Sequence, residues 1–143
     1  GNFNQMEVTA IHTNESLTGK EDNYFSDREE YFLLASAPPV KMHFNVEYAT
    51  SKLNVNLRAN YFGAINLINY SVEEYTYSPK TTLDASIGYD ITSNMHLTIG
   101  GTNLLNTYPD DTDPYETETG GAWDAVQMGF NGLFMYSKLG FKF

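Results

Sequence analysis

Cysteine is missing from all 143 residues, which rules out disulfides and thiolate metal sites. Basic charge is scarce as well. Eight Lys and Arg stand against 18 Asp and Glu, for a net charge of −10. That balance argues against nucleic acid as a partner, because phosphates reward basic patches. No run of about 18 apolar residues occurs, so no transmembrane helix is encoded. A mean hydropathy of −0.40 still leaves room for membrane strands, whose signal per segment is much weaker. The opening GNFNQ shows neither a start methionine nor a basic-then-apolar leader; for an exported protein this predicts a mature chain or a fragment. No G-x-S-x-G or comparable nucleophile motif appears, so no enzymatic activity and no cofactor are expected.

Aromatic residues are in excess. They make up 15% of the chain, with eleven Tyr and nine Phe, and Tyr suits a surface that is half apolar and half wet. Strand periodicity dominates the rest. In VKMHFNVEYAT, Val40, Met42, Phe44, Val46 and Tyr48 alternate with Lys41, His43, Asn45 and Glu47. In LNVNLRANYFGAI, Leu53, Val55, Leu57, Ala59 and Tyr61 alternate with Asn54, Asn56, Arg58 and Asn60. LDASIGYDI, MHLTIGGTN and NGLFMYSKLGFKF follow the same rule, and a weaker strand, FNQMEVTAI, opens the chain. The pattern predicts one all-β domain over residues 1–143, with six antiparallel strands and no helix.

The connections carry further information. Ser51-Lys52 and Thr92-Ser93-Asn94 make two short turns, whereas 13–39, 66–81 and 105–127 are long. Long and short alternate, so every long connection falls at one end of the strands. An outer-membrane barrel is built this way, with short periplasmic turns and long extracellular loops. On that reading Gly1 lies at the periplasmic rim. A Lys or Arg facing lipid at mid-membrane costs about 2–4 kcal/mol, so the uniformly apolar faces point outward. Lys41, His43, Glu47, Arg58, Asp84, Asp90 and Lys138 then face a wet lumen. A soluble β-sandwich shows the same alternation with the apolar face inward, and a small porin-like barrel is a further alternative. About eight strands are needed to enclose even side chains, and unpaired edges in lipid cost several kcal/mol per backbone group. Six strands are therefore expected to be part of a larger antiparallel transmembrane β-barrel.

The stretch LDASIGYDITSNMHLTIGGTNLLNTYPDD, with Gly100, Asn103, Leu104, Leu105, Asn106, Pro109 and Asp110, resembles the C-terminal signature of TonB-dependent outer-membrane receptors. PPVKMHFNVEYATSKLNVNLRANYFG and the ending GFNGLFMYSKLGFKF, with its terminal Phe143, are similar to the same family, in particular to receptors of Bacteroidetes-type bacteria. The resemblance implies six C-terminal strands of a roughly 22-stranded barrel with a plugged lumen. It implies import of a scarce ligand such as a ferric siderophore, haem, cobalamin or a glycan. Implied partners are the remaining barrel and plug (in the same or a separate chain), the TonB complex, the outer-membrane assembly machinery and lipopolysaccharide. Phe141 and Phe143 would form the assembly signal. The plug, the TonB box and most strands have no counterpart in this sequence.

Candidate site residues lie on the long connections. Tyr24, Phe25, Tyr31 and Phe32, set among charges, and Trp123 in GGAW are candidates to stack on a ligand; the competing reading is packing between loops or, for Trp123, an interfacial anchor. Asp110, Asp111, Asp113, Glu116, Glu118 and Asp124 offer hard oxygen ligands. Their spacing is not that of a cation loop, which predicts a solvated crown rather than a metal site. His12, His43 and His96 are scattered over three strands, without a second ligand at useful spacing. Tyr48, Tyr61, Tyr89, Tyr108, Phe141 and Phe143 sit near strand ends, as interfacial aromatic girdles require. The Asn14-Glu15-Ser16 and Asn69-Tyr70-Ser71 sequons carry no weight in a bacterial protein.

Overall fold

In the computed structural model all residues are described except 13, 36–37, 70, 118 and 124–126. The strands are β1 (Asn2–Phe3), β2 (Val40–Ala49), β3 (Leu53–Phe62), β4 (Ile65–Ile68), β5 (Glu74–Tyr77), β6 (Lys80–Thr92), β7 (Met95–Thr102) and β8 (Phe134–Phe141). One antiparallel sheet runs β1-β2-β3-β6-β7-β8, and β4 and β5 form a separate hairpin. The sheet is open: β8 ends it on one side, while β1 covers only the first two residues of β2 on the other. No barrel is closed. Among the described residues no helix is long and apolar enough to cross a membrane.

Pairing carries the alternation across the whole sheet. One row aligns Tyr48 with Val55, Val55 with Ile87 and Ile87 with Ile99. The next aligns Val46, Leu57, Ala85, Gly101 and Met135. Because side chains alternate with period two, these rows share one face with Phe44, Leu53, Leu83, Tyr89, Leu97 and Leu139. Among the described residues no other element packs over that face. Phe44 is 69% exposed, Ile87 54% and Leu139 50%. The opposite face carries Lys41, His43, Glu47, Arg58, Asp84, Asp90 and Lys138, as the sequence predicted.

Two glycines explain how β6, β7 and β8 stay in register on this polar face. A Cβ on Gly100 would lie 2.6 Å from the Tyr136 ring and 2.9 Å from Ser86 Cβ. A Cβ on Gly88 would lie 2.9 Å from the His96 ring. Each large side chain lies flat across a glycine of the neighbouring strand, and any other residue there would push it off.

The buried core sits at one end of the sheet, beyond the strand tips. It comprises Ile65, Leu67 and Tyr77 of the β4–β5 hairpin and Ala35 of α1 (Asp27–Ala35), with Phe32 and Tyr75 packed against them. The helix corrects the all-strand expectation. Ser26 precedes it, and its N–H donates to Glu29 Oε2 at 2.9 Å while its hydroxyl bonds the same oxygen. This is the Glu-to-N-cap half of the Ser-x-x-Glu capping box, legible as SDRE. Asp27, Glu29 and Glu30 in the first turn add favourable charge.

Two further expectations change. The 3–11 strand shrinks to Asn2–Phe3: Asn4 N–H donates to Pro39 O at 2.9 Å and the chain then leaves the sheet, with Met6 and Ile11 exposed. Since Asn2 pairs with Lys41 and Phe3 with Val40, Gly1 lies at the long-connection end and not at the short-turn rim. The second long connection holds the β4–β5 hairpin, because β3 ends at Phe62 and Gly63 bends against Val40. The short turns, by contrast, fall where predicted, between β2 and β3 and between β6 and β7.

Candidate functional site at the long-connection end

The turn after β7 organises this end. Asn103 takes the left-handed conformation (φ 49°) and is buried. Its N–H donates to Asp84 Oδ1 at 2.9 Å, and its side-chain amide donates to the carbonyls of Thr107 and Asn131 at 2.8 and 3.0 Å. Its Oδ1 accepts from Thr107 N–H at 2.9 Å. Asn106, at φ 51°, accepts from Leu133 N–H at 2.9 Å. Asn is the side chain that tolerates this backbone region and also bonds locally, which is the physical content of the NLLN motif. One amide thus ties the start of the third connection to its end, where β8 begins.

Carboxylates then latch this connection to the chain around β5. Asp110 accepts from Ser78 N–H at 2.6 Å and pairs with Lys80 Nζ. Partial burial raises its pKa, but the hydrogen bonds from Lys80 and Ser78 and the Lys80 charge outweigh that and hold it at about 2. Glu116 accepts from Ser71 N–H and hydroxyl at 3.0 and 2.8 Å. The hydroxyls of Tyr77 and Thr112 share a 2.8 Å bond, and Gln127 donates to Ser78 O at 2.7 Å. Asp113 caps a short 3-10 helix, Pro114–Glu116, by accepting from Tyr115 N–H. The predicted solvated crown is therefore corrected in part, since Asp110, Asp113 and Glu116 are spent on internal bonds. Glu118, Asp124 and the Tyr70 sequon position lie outside the described residues. Among the described residues no three His, Asp or Glu side chains converge as a metal would need.

The five aromatic candidates do not converge on one site. Trp123 stacks between Tyr108 (5.9 Å, 5°) and Phe130 (5.7 Å, 17°), which assigns it to packing within its own loop. Phe32 packs on the small core, with the Arg28 guanidinium 4.6 Å above its ring. Tyr24 is exposed and Phe25 half-buried near the helix start. Tyr31 donates its hydroxyl to Glu74 Oε1 at 2.9 Å, and that bond raises its pKa.

Clefts lie beside the hairpin on several sides, one of them between Ile68, Asn69 and Val72 at its turn and Asp22, Ser26, Asp27 and Arg28. Another, of about 430 Å³, is lined by the carboxylates of Glu73, Asp110, Asp111, Asp113 and Glu116 with Tyr75 and Tyr77. A third, of about 300 Å³, lies between Asn4–Met6, α1 and β4; Tyr31 and Asn66 join its wall and no charged side chain does. Sequence reasoning missed this third cleft because α1 and the hairpin that shape it were both read as loop.

The polar face carries a hydrogen-bond network rather than isolated charges. His43 Nδ1 pairs with Asn60 Oδ1 at 2.9 Å, and the Asn60 amide donates to Thr82 and to Asp84 at 3.1 and 3.2 Å. Near the short-turn end His96 pairs with Asp90 at 2.6 Å. His12 lies in the irregular segment after β1. Phe141 closes β8, and Phe143 lies beyond it, fully exposed. No family model, curated protein or solved structure matches the chain.

Proposed function

We propose that this chain is a wall segment of an outer-membrane β-barrel, namely the C-terminal strands of a TonB-dependent receptor that imports a scarce ligand. One observation carries the reading: a face five strands wide is apolar apart from Thr81 and Ser137, and no other element of the described residues packs over it, while its reverse is polar and hydrogen-bonded. At about 4.8 Å per strand and 3.3 Å per residue the face measures on the order of 20 by 30 Å. Soluble monomers rarely leave contiguous apolar patches beyond roughly 300–600 Å². Tilted by about 45°, strands of this length give an apolar band close to the ~25 Å of outer-membrane barrels. Tyr48, Tyr89 and Phe141 end the face at the short-turn rim and Tyr61 at the other, as interfacial girdles do. A sandwich needs a second sheet over this face, and the β4–β5 hairpin does not supply one.

The barrel further requires strands against β8 and against Met42–Ala49 of β2, and the resemblance names the receptor family that has them. The ligand, the plug and the TonB coupling follow from that resemblance. The test is a spin label at Ile87→Cys and at Ser86→Cys in outer-membrane vesicles. Position 87 is expected to collide freely with oxygen and poorly with a water-soluble nickel chelate, and position 86 the reverse. If position 87 is protected from both reagents, it lies in a protein core and the sandwich is correct. The intact denatured mass of the native outer-membrane protein then decides the family assignment. A mass several times 16.1 kDa with this sequence at the C-terminus supports the receptor, as does a stoichiometric larger partner. A lone chain of this mass sinks it.

A further inference from the structure

We propose that the uncharged cleft between Asn4–Met6, α1 and β4 binds a short, uncharged, peptide-like ligand with aliphatic side chains. Three observations converge there. First, the wall carries no charged side chain in a chain with 26 acidic and basic residues, eight plus 18. A charged ligand would be desolvated without a counter-charge.

Second, the rim of the cleft carries amides that are open to solvent, Gln5 and Asn66 exposed and Asn4 half-buried. The side chains of Asn4 and Gln5 make no hydrogen bond among the described residues. Asn66 accepts from the Thr76 hydroxyl at 2.9 Å and keeps its NH₂ to donate. A side-chain amide presents an acceptor and two donors in one plane, which matches the N–H and C=O of a peptide group.

Third, the remaining wall is aliphatic, with Met6, Leu34, Pro39 and Ile65 prominent. A sugar-like ligand would press hydroxyls against those walls without partners, which desolvation penalises. Aliphatic side chains gain from the same contact. A volume of about 300 Å³ is at the lower end of small-molecule sites, so it takes the central side chain of a short capped peptide while the ends stay in solvent. Two of its walls, α1 and β4, are fixed by the packed core, and the third, Asn4–Met6, is irregular chain tied by Asn4 N–H to Pro39 O. This inference rests on the cleft alone and not on the barrel reading.

The test is calorimetric titration of the full chain in detergent micelles with N-acetyl-Ala-Leu-Ala-amide. Saturable binding is expected at about 1 mM or tighter, with the glutamate analogue N-acetyl-Ala-Glu-Ala-amide and maltose at least tenfold weaker. The double variant Asn4→Leu/Gln5→Met is expected to weaken the leucine peptide at least tenfold. Its far-UV circular dichroism and melting should be unchanged, because those amides hold nothing else in place. Ala64→Leu, which narrows the cleft, is expected to reduce binding through volume alone. The proposal is overturned by no saturation up to about 10 mM, by equal affinity for the glutamate peptide or maltose, or by a double variant that binds like the parent.

Discussion

The sheet and the cap beyond its strand tips bury apolar surface to different extents. In the cap, Leu67 is fully buried and Tyr77 99% so, and α1, the hairpin and the third connection enclose a small core. In the sheet the apolar residues range from partly buried, as at Val55 and Leu97, to largely exposed, as at Phe44, and none belongs to the buried core among the described residues. Removal of apolar surface from water is the main force of folding. The cap obtains it within the chain, and the sheet obtains it only when something outside the chain covers its face. Ladder hydrogen bonds and register fix the shape of the sheet, and its surroundings decide its stability.

Substitutions can break that comparison, and the largest effect is expected at the centre of the apolar face. Leu57→Lys in lipid vesicles should cost about 2–4 kcal/mol. Asn56→Lys, one residue away on the polar face, should cost no more than about 1 kcal/mol, as expected where water reaches. Urea unfolding followed by Trp123 fluorescence measures both, and equal costs would mean that the two faces share one environment. Leu67→Ala should cost about 3 kcal/mol and confine its effect to the cap. Hydrogen exchange would then accelerate in 63–79 and stay unchanged in β6 and β7.

Asn103 lies where the two regions meet. Asn103→Gly keeps the left-handed backbone but loses the bonds to Thr107 and Asn131, at about 2 kcal/mol. Asn103→Ala adds about 1 kcal/mol of backbone strain. A Gly variant as stable as the parent would show that the amide bonds contribute nothing. The smallest effect concerns acid. With a folded pKa of about 2 against an ordinary value near 3.8, Asp110 stabilises the cap fully above pH 4 and loses this contribution as pH falls toward 2. The pair is partly in water, so the effect should stay below about 1 kcal/mol. Asp110→Asn should remove this part of the acid dependence of cap protection.

The same division governs how much the sequence revealed. β2, β3, β6 and β7 were legible because a face wet on one side and apolar on the other forces strict alternation, as in Lys41 to Tyr48. Their two turns were legible as the breaks in that alternation. The cap was not, because nine residues of α1 span too few turns for a helical period and IN-L-I and EYTY are too short to read as strands. Its one strong signal, the capping box SDRE, is local chemistry rather than pattern. NLLN was recognised as a motif, but only the fold revealed that Asn103 holds two distant carbonyls. The aromatic candidates were not legible as one site, because stacking inside a loop and stacking on a ligand ask for the same residue types.

The knot made by Asn103 also separates inheritance from variation. Thr107 and Asn131 are held to one side chain, so the 23 residues between them (108 to 130) leave the sheet and return to it through a fixed gate. Lengthening that excursion changes its closure entropy only slowly, by about 0.6 kcal/mol per doubling. It also shifts no strand against its neighbour. The wall can stay constant while the excursion changes length, provided the change falls between its latches to Ser71, Ser78 and Lys80.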